Sequence, residues 1–506
     1  MDALERDASE VLSLVRSAKN SFAPISRIPP EILSLIPDYH DGGDEDDGYI
    51  EEARDEDLIT LTHVCCGWRD TFTSRSSLWT RLDFKNVDKT HTYIQRSRSS
   101  PLELYLVNDD SEVLDVAFPL VIPHIHRLKS LIIDTSSLPT VLRHFCCRTP
   151  LLEKLDIKIS AGMEPLLDDA LFGGDQFSLR NLRLEGVTTH LPWKNLANLR
   201  VLNLDSFGPH GTTQMLDFLE SAPLLHTIFL LYPTSHPSDA PPERMVTLNH
   251  LRHLNVFTLD RDYQHPALLR HLHFPTGASV ISEFNFNGSG SPLLDYLPER
   301  SSDPSNLSHV TTINLLLDST QKFAQLGGPS GSLRVLAEWQ DLWNTTSYTL
   351  DRKILHSLGP PILSTTQRLT ISRYGYPRPD QVEECPVFHT LSLANDLRIL
   401  TLIDCDNLPF ILALDPEQSP SDRVLCANME ELVVYDYTLE QFHVDHLISM
   451  TKNRASRGAR LSSITIFDLN GCMLGKEVLK LREHVTHVEY EIDDEPPWDD
   501  VPGESK

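Results

Sequence analysis

The chain is poor in cysteine, with eight in 506 residues. That is too sparse for a secreted fold stapled by disulfides, and it fits reduced thiols. The cysteines also lack metal spacing. Cys65-Cys66 and Cys146-Cys147 are adjacent pairs, not C-x-x-C, so a zinc site is not indicated. Basic residues are in deficit, 44 Lys and Arg against 72 Asp and Glu, for a net charge of −28. Such a chain repels phosphate backbones and anionic lipid, which argues against nucleic acid or a membrane surface as the main partner. No apolar run reaches the ~18 residues of a bilayer span. The first 25 residues carry early acids and no apolar block of the signal-peptide kind. Phosphate-loop and nucleophile-elbow motifs are absent as well. Gly327–Gly331 reads GGPSG with no following lysine, a turn rather than a phosphate cradle. His124-x-His126 and His271-x-His273 could each place two ligands on one strand face, but no carboxylate or cysteine clusters with them. They are expected to be surface histidines. The sequons at Asn306 and Asn344 carry no meaning without a secretion signal. A catalytic triad assembles in space and leaves no spacing rule, and nothing in the sequence raises one. The chain is expected to need no cofactor or metal and to reside in the cytoplasm or nucleus.

What is abundant is local acid. Residues 41–57 hold ten carboxylates and one base, Arg54, and Glu489–Lys506 holds eight carboxylates against Lys506. Without both segments the remainder has 54 acids and 42 bases. Like charges in a row repel and stay solvated, so both segments are expected to be flexible, as solubilising surface or as docking tails for a basic partner.

The apolar residues, 40 % of the chain, are organised. Leu4, Val11, Leu12, Leu14 and Val15 among charges suit an amphipathic leader helix within residues 1–24, packed on the segment after it. Beyond about residue 100 a short unit recurs: apolar-x-x-apolar-x-apolar. Examples are Leu128/Leu131/Ile133, Leu152/Leu155/Ile157, Leu225/Ile228/Leu230, Leu397/Leu400/Leu402 and Leu461/Ile464/Ile466. Chance alone gives roughly a dozen such triplets at this composition, so the spacing matters more than the count. Middle residues at 131, 155, 182, 202, 228, 254, 284 and 313 step by 20–30, near the ~20–29-residue period of leucine-rich repeats. A local duplication adds to this: Pro150-Leu151-Leu152-x-x-Leu155-x-Ile157 matches Pro223-Leu224-Leu225-x-x-Ile228-x-Leu230, each preceded by a helical pattern. The unit is helix, Pro-stopped turn, short strand.

In a strand, residues i and i+2 share a face, so the last two apolar residues of each unit point into the core. A single unit cannot bury that face, but stacked neighbours can. Three large side chains contribute roughly 5–9 kcal/mol gross per unit before entropy. Arg183, Asn203 and Asn255 then face outward. The fullest match is Leu397-x-x-Leu400-x-Leu402-x-x-Cys405-x-x-Leu408, with Cys405 where such repeats commonly carry Asn or Cys. Most units lack it, with Val187 and Phe207 at that spacing, so the repeats are irregular. Thr366 replaces the first apolar residue before Leu369/Ile371. Phe388/Leu391/Leu393 lies nine residues before the next unit and reads as a connector. Residues 318–365 hold no clean unit and are either a degenerate repeat or an insertion.

Residues 25–84 are different. Ile28-Pro29-Pro30-Glu31-Ile32-Leu33 opens a helix, with proline in the first turn and an acid near its positive end. Leu58, Leu61, Val64, Cys65 and Trp68 make a 3-4-3 stripe on a second helix. Leu78, Trp79 and Leu82 mark a third short element. In order and type these positions resemble the F-box, above all Val64-Cys65-x-x-Trp68-Arg69 followed by Leu78-Trp79. Pro37 ends the first helix early, and the acidic insert separates the first two helices more than is usual. The rest of the chain is similar in layout to the repeat-bearing F-box proteins common in fungi.

The resemblance implies a substrate-recognition adaptor that binds a Skp-type adaptor of a cullin–RING ubiquitin ligase through the helices, holds a protein substrate on the repeats and is not itself an enzyme. It implies Ile28, Pro29, Glu31, Ile32, Leu33, Leu61, Val64, Cys65 and Trp68 at or just behind the adaptor surface, and Trp79 and Leu82 at the join to the first strand. Some 60 residues with two tryptophans cannot enclose all that apolar surface alone, and the remainder is a partner patch. The competing readings are a non-ligase interaction solenoid whose helical segment only caps its end, and an enzyme in the array.

The expected fold is thus α/β, with a leader at 1–24 and a short helical F-box at 25–84 carrying the insert 41–57. An irregular leucine-rich-repeat solenoid follows at 85–490, with parallel strands on one wall and helices on the other, and an acidic tail at 491–506.

Overall fold

A computed structural model describes residues 2–33, 35–36, 48–107, 111–135, 141–159, 171–174, 178–187, 196–205, 212–231, 244–257, 267–275, 277–287, 310–317, 322–328, 333–340, 354–355, 358–373, 386–418, 423–436, 439–468, 473 and 475–492. The acidic tail beyond 492 and the insert at 41–47 lie outside them. The chain divides into two units, 1–183 with 192–196, and 184–191 with 197–506.

The first unit begins with helices: α1 (Asp2–Ser21), α2 (Pro30–Leu33), α3 (Gly48–Val64) and α4 (Cys66–Ser74). Strand β1 (Arg81–Leu82), helix α5 (Val87–Ser97), β2 (Leu102–Leu106), α6 (Ser111–Val121), β3 (Leu128–Asp134) and β4 (Lys154–Lys158) come next. The four strands pair in parallel and in chain order. Partners in register are Leu82 with Leu104, Leu104 with Leu131, Leu131 with Leu155 and Ile133 with Ile157, and all six of these side chains are buried. Strand β5 (Asn181–Glu185) spans the division between units.

The second unit repeats the same construction. Strands β6 (Val201–Asp205) and β7 (Thr227–Leu231) pair in parallel, and helix α7 (Thr212–Glu220) connects them. A small separate pair, β8 (Val246–Thr247) with β10 (Leu272–His273), flanks β9 (His253–Phe257) in sequence. Strand β9 pairs with β7 and with β11 (Ser279–Asn287). Strands β15 (Arg368–Ser372), β16 (Ile399–Ile403), β17 (Glu431–Asp436), β18 (Ser463–Asp468) and β19 (His487–Glu491) form a second parallel run. Their connectors are helices α9 (Pro386–Leu393), α10 (Leu408–Leu414), α11 (Gln441–Ser456) and α12 (Gly475–His484), and α8 (Gly359–Leu363) precedes β15. Leu369, Leu400, Leu432, Ile464 and Val488 make one in-register apolar row, and Ile371, Leu402, Val434 and Ile466 a second. The leading residues Leu128, Leu152, Leu179, Leu199, Leu225, Leu251, Val310, Leu397, Met429, Leu461 and Val485 are buried too.

The long irregular stretch proves to be an insertion. Strand β12 (Thr312–Leu317) pairs antiparallel with β13 (Lys322–Gly327), which pairs antiparallel with β14 (Leu333–Gln340). Strand β14 lies parallel to β11, and β12 lies parallel to β15. The spatial order is therefore 11-14-13-12-15: an antiparallel meander spliced between two parallel runs. The lone apolar period of a hairpin pair carries no repeat spacing, which is why 318–365 held no unit. At the first position before β15, Thr366 is fully buried with its hydroxyl donating to Ile362 O at 2.9 Å, so its polarity is satisfied locally. Cys405 is buried and its thiol lies 3.2 Å from Ile371 O, on the neighbouring strand. Phe388, Leu391 and Leu393 lie on the connecting helix α9.

Three residues leave their strands with positive φ: Gly186 at 68°, Arg373 at 56° and Asp404 at 48°. Each turns its amide onto the end of the next strand, Gly186 to Asp205 O, Arg373 to Ile403 O and Asp404 to Tyr435 O, at 2.8–3.0 Å. The bond offsets the strain that a non-glycine residue bears there.

Four expectations are corrected. α1 forms, but every described side chain from Glu5 to Asn20 is exposed, so no apolar packing on the segment after it is seen among the described residues. The backbone is helical from Gly48, so the last ten residues of the acidic run 41–57 belong to α3. Acids suit the positive end of a helix. The stripe from Leu58 to Trp68 is not one helix, because Cys65 is extended (φ −161°, ψ 171°) between α3 and α4. His271 is buried, not on the surface, with Nδ1 2.8 Å from Arg244 O.

Two buried arginines hold helix ends. Arg127 donates to Ser100 O at 2.8 Å and to Ser97 Oγ at 3.1 Å, at the C-terminus of α5. Arg454, fully buried on α11, donates to Leu425 O and Cys426 O at 2.8 Å and to Leu414 O, the last residue of α10, at 3.4 Å. At Ser97 and Leu414 the guanidinium meets the negative end of a helix dipole, while Leu425 and Cys426 lie in the turn before β17. Burial lowers the pKa of both arginines. It pushes the Cys426 thiol up to about 12, against the smaller opposing pull of Arg454.

Leu432→Ala should cost about 2–5 kcal/mol of unfolding free energy, while Val433→Ala on the opposite strand face costs under about 1 kcal/mol, read by urea denaturation. In maleimide mapping at pH 8, the exposed Cys66, Cys146 and Cys147 should label within minutes, and Cys426 only after unfolding.

Candidate functional site

The helical segment ahead of the first strand is assembled around Trp68 and Trp79. Pro29 and Pro30 open α2, where Ile32 N and Leu33 N both donate to Pro29 O at 3.0 Å. The missing proline N–H falls at positions that have no intrahelical acceptor. Leu33 turns inward and is 4 % exposed, and α2 packs against α4. Between α3 and α4 the chain breaks at Cys65, with Gly67 two residues on, a poor helix former. The break is bonded on both sides. Arg69 Nε donates to Thr62 O at 3.0 Å and Arg69 N to Cys65 O at 3.0 Å. Arg69 thus satisfies a carbonyl that the end of α3 would leave open.

Trp68, 8 % exposed, meets Phe72 edge to face at 5.8 Å. Trp79 is fully buried. Its Nε1 donates to Phe72 O at 2.9 Å, its ring meets Tyr93 of α5 edge to face at 5.0 Å, and the Arg96 guanidinium lies 4.3 Å over it. Two residues later Leu82 enters β1 beside Leu104, and Arg81 pairs with Glu103 at 3.0 Å. Trp79 and Leu82 therefore join the helices to the first strands.

The nine sequence-derived site residues separate by burial. Leu33 and Trp68 are core. Ile28, Leu61 and Cys65 are half-buried. Pro29, Glu31, Ile32 and Val64 are exposed, Ile32 by 56 % and Val64 by 49 %. Sequence reasoning missed Ile25, Leu35 and Ile59, which are also more than two-fifths exposed. Their signal was present, since each is a large apolar residue adjacent to a polar one, but periodicity could not tell which face stays open. Isolated exposed apolar residues are ordinary; five within one small helical segment are not.

Neither histidine pair lies on one strand face: His271 precedes β10, which holds His273. His124 and His126 stand on a short 3-10 helix, Ile122–Arg127, and burial together with Arg127 lowers the His124 pKa. Among the described residues no group of three or more His, Cys, Asp or Glu side chains could hold a metal ion, and no helix is long and apolar enough to cross a membrane. Compared with known proteins, the chain matches no family model and no curated protein sequence.

Trp79→Phe keeps the aromatic contact with Tyr93 but leaves Phe72 O without its buried donor. A loss of about 1–3 kcal/mol is expected, measured as a lowered thermal midpoint. An unchanged midpoint would mean that the indole hydrogen bond contributes nothing.

Proposed function

We propose that the chain is the substrate-recognition subunit of a Skp–cullin–F-box ubiquitin ligase. In this reading the segment 25–84 is an F-box, and the strand array is an irregular leucine-rich-repeat solenoid that holds a protein substrate. The observation that carries the reading is the uncovered apolar set Ile25, Ile32, Leu35, Ile59 and Val64, carried on a segment whose own core, Leu33, Leu58, Trp68, Phe72 and Trp79, is closed. A segment with a finished core and a greasy exterior is suited to docking. Pairing with a Skp-type adaptor would bury on the order of 1,200–2,000 Å². The in-register rows of leucine, isoleucine and valine support the repeat assignment, and so does the thiol of Cys405 reaching the preceding strand. The chain then supplies proximity and no bond chemistry, bringing a bound substrate to a ubiquitin-charged enzyme.

A second reading, a cap on an interaction solenoid outside any ligase, draws on Trp79, packed on Tyr93 of α5, and Leu82, paired within β1, which tie the helices to the start of the strand array. The two readings divide on the outer residues, which a cap does not need.

Ile32→Asp with Val64→Asp changes only exposed positions, so folding is preserved. In a pull-down with a purified Skp-type adaptor, the wild-type chain should bind. The double variant should lose about 100-fold or more in affinity, and the control Val116→Asp, also exposed, should bind like wild type. Retained binding by the double variant, or no binding by the wild type, would defeat the ligase reading.

A further inference from the structure

We propose that α1 pairs with α1 of a second copy of the chain, in antiparallel register. The inference is independent of the ligase reading. α1 is a 20-residue helix, roughly 30 Å long, and in it Val11, Leu12, Leu14 and Val15 are 50–65 % exposed. A lone helix of that length is marginal in water, and its stability comes from covering an apolar face.

The order of residues indicates what covers it. Ala8, Val11, Val15 and Ala18 follow a 3-4-3 spacing, the seam of a two-helix coiled coil, and Leu4 and Phe22 continue the row in sequence. Leu12 and Leu14 stand on either side of that seam. On the Leu12 side, Glu5, Leu12 and Lys19 are seven residues apart and so line one flank. In an antiparallel pair each flank faces its own reversed copy. Leu12 then meets Leu12, Leu14 meets Leu14, and Glu5 meets Lys19 twice. Across the seam Ala8 opposes Ala18 and Val11 opposes Val15, so small sits on small and medium on medium.

In a parallel pair the two flanks would face each other instead. Leu12 would oppose Asp7 and Lys19 would oppose Leu14, which leaves apolar groups against charges. Charge complementarity therefore selects the antiparallel partner. The contact is short, in the class below about 1,200 Å² where weak, reversible pairs fall, so the concentration range to search is micromolar.

Sedimentation velocity of the full-length chain over roughly 1–100 μM tests this. The wild type should shift from monomer to dimer with concentration, and Val15→Asp should remain monomeric throughout. Glu5→Lys places lysine opposite Lys19 at both ends, so the dissociation constant should rise about tenfold. Combining it with Lys19→Glu restores opposite charges in the antiparallel register alone, and should return the constant to within about threefold of wild type. That recovery separates pairing from simple loss of the helix. A wild type that stays monomeric, a Val15→Asp chain that still dimerises, or a double exchange no better than Glu5→Lys would each overturn the proposal.

Discussion

A five-residue strand with two inward apolar side chains cannot bury them by itself. That constraint organises this protein. Each strand of the parallel runs presents its pair, for example Leu400 and Leu402, directly beside the pair of the next, Leu432 and Val434. Apolar rows therefore run across the strands, and the coverage of any one residue depends on its neighbours on both sides. The anchoring residue three positions before the middle one is buried in eleven described units, from Leu128 to Val485, whereas Ile281 is only half-buried, and Thr366 joins them by bonding its hydroxyl to the preceding helix. Shape at that position is enforced more strictly than polarity.

Backbone satisfaction follows from the same arrangement. Parallel strands need crossovers, and each crossover ends in carbonyls that a buried helix terminus would orphan. Arg127 and Arg454 answer this in different units with the same chemistry, a fork of donors reaching carbonyls across a turn. Arginine suits this role because its charge persists under burial, even where desolvation lowers its pKa. The left-handed residues Arg373 and Asp404 serve the other end of each strand, passing an amide to the next repeat.

The parallel architecture was legible because its signal is periodic: apolar residues two apart, recurring at a near-constant step. Features without a period were not. The meander β12–β13–β14 uses the same residue types as its neighbours, and only its pairing direction differs, which no spacing records. The break at Cys65 was hidden because the apolar stripe runs on through it. Phase alone suggests a continuous helix, whereas Gly67 and the Arg69–Thr62 bond end it. His271 read as a surface residue because its acceptor, Arg244 O, is 27 positions away. Of the candidate site, the composition was visible and the orientation was not. Ile32 and Leu33 are adjacent and chemically alike, yet one faces out and the other in.

That last contrast bears on how such a segment should be probed. Leu33 and Trp68 are positions that the resemblance to the F-box makes prominent, but both lie in the closed core, and replacing either would leave a cavity or a buried charge. Loss of binding in those variants would follow from unfolding alone. Ile32 and Val64 belong to the same pattern but lie on the open surface. A residue conspicuous in sequence is often so because the fold needs it, whereas a partner reads what the fold has left uncovered. The same distinction applies to α1, where Val11, Leu12, Leu14 and Val15 stay at least half exposed and so offer their apolar surface to what they meet outside it.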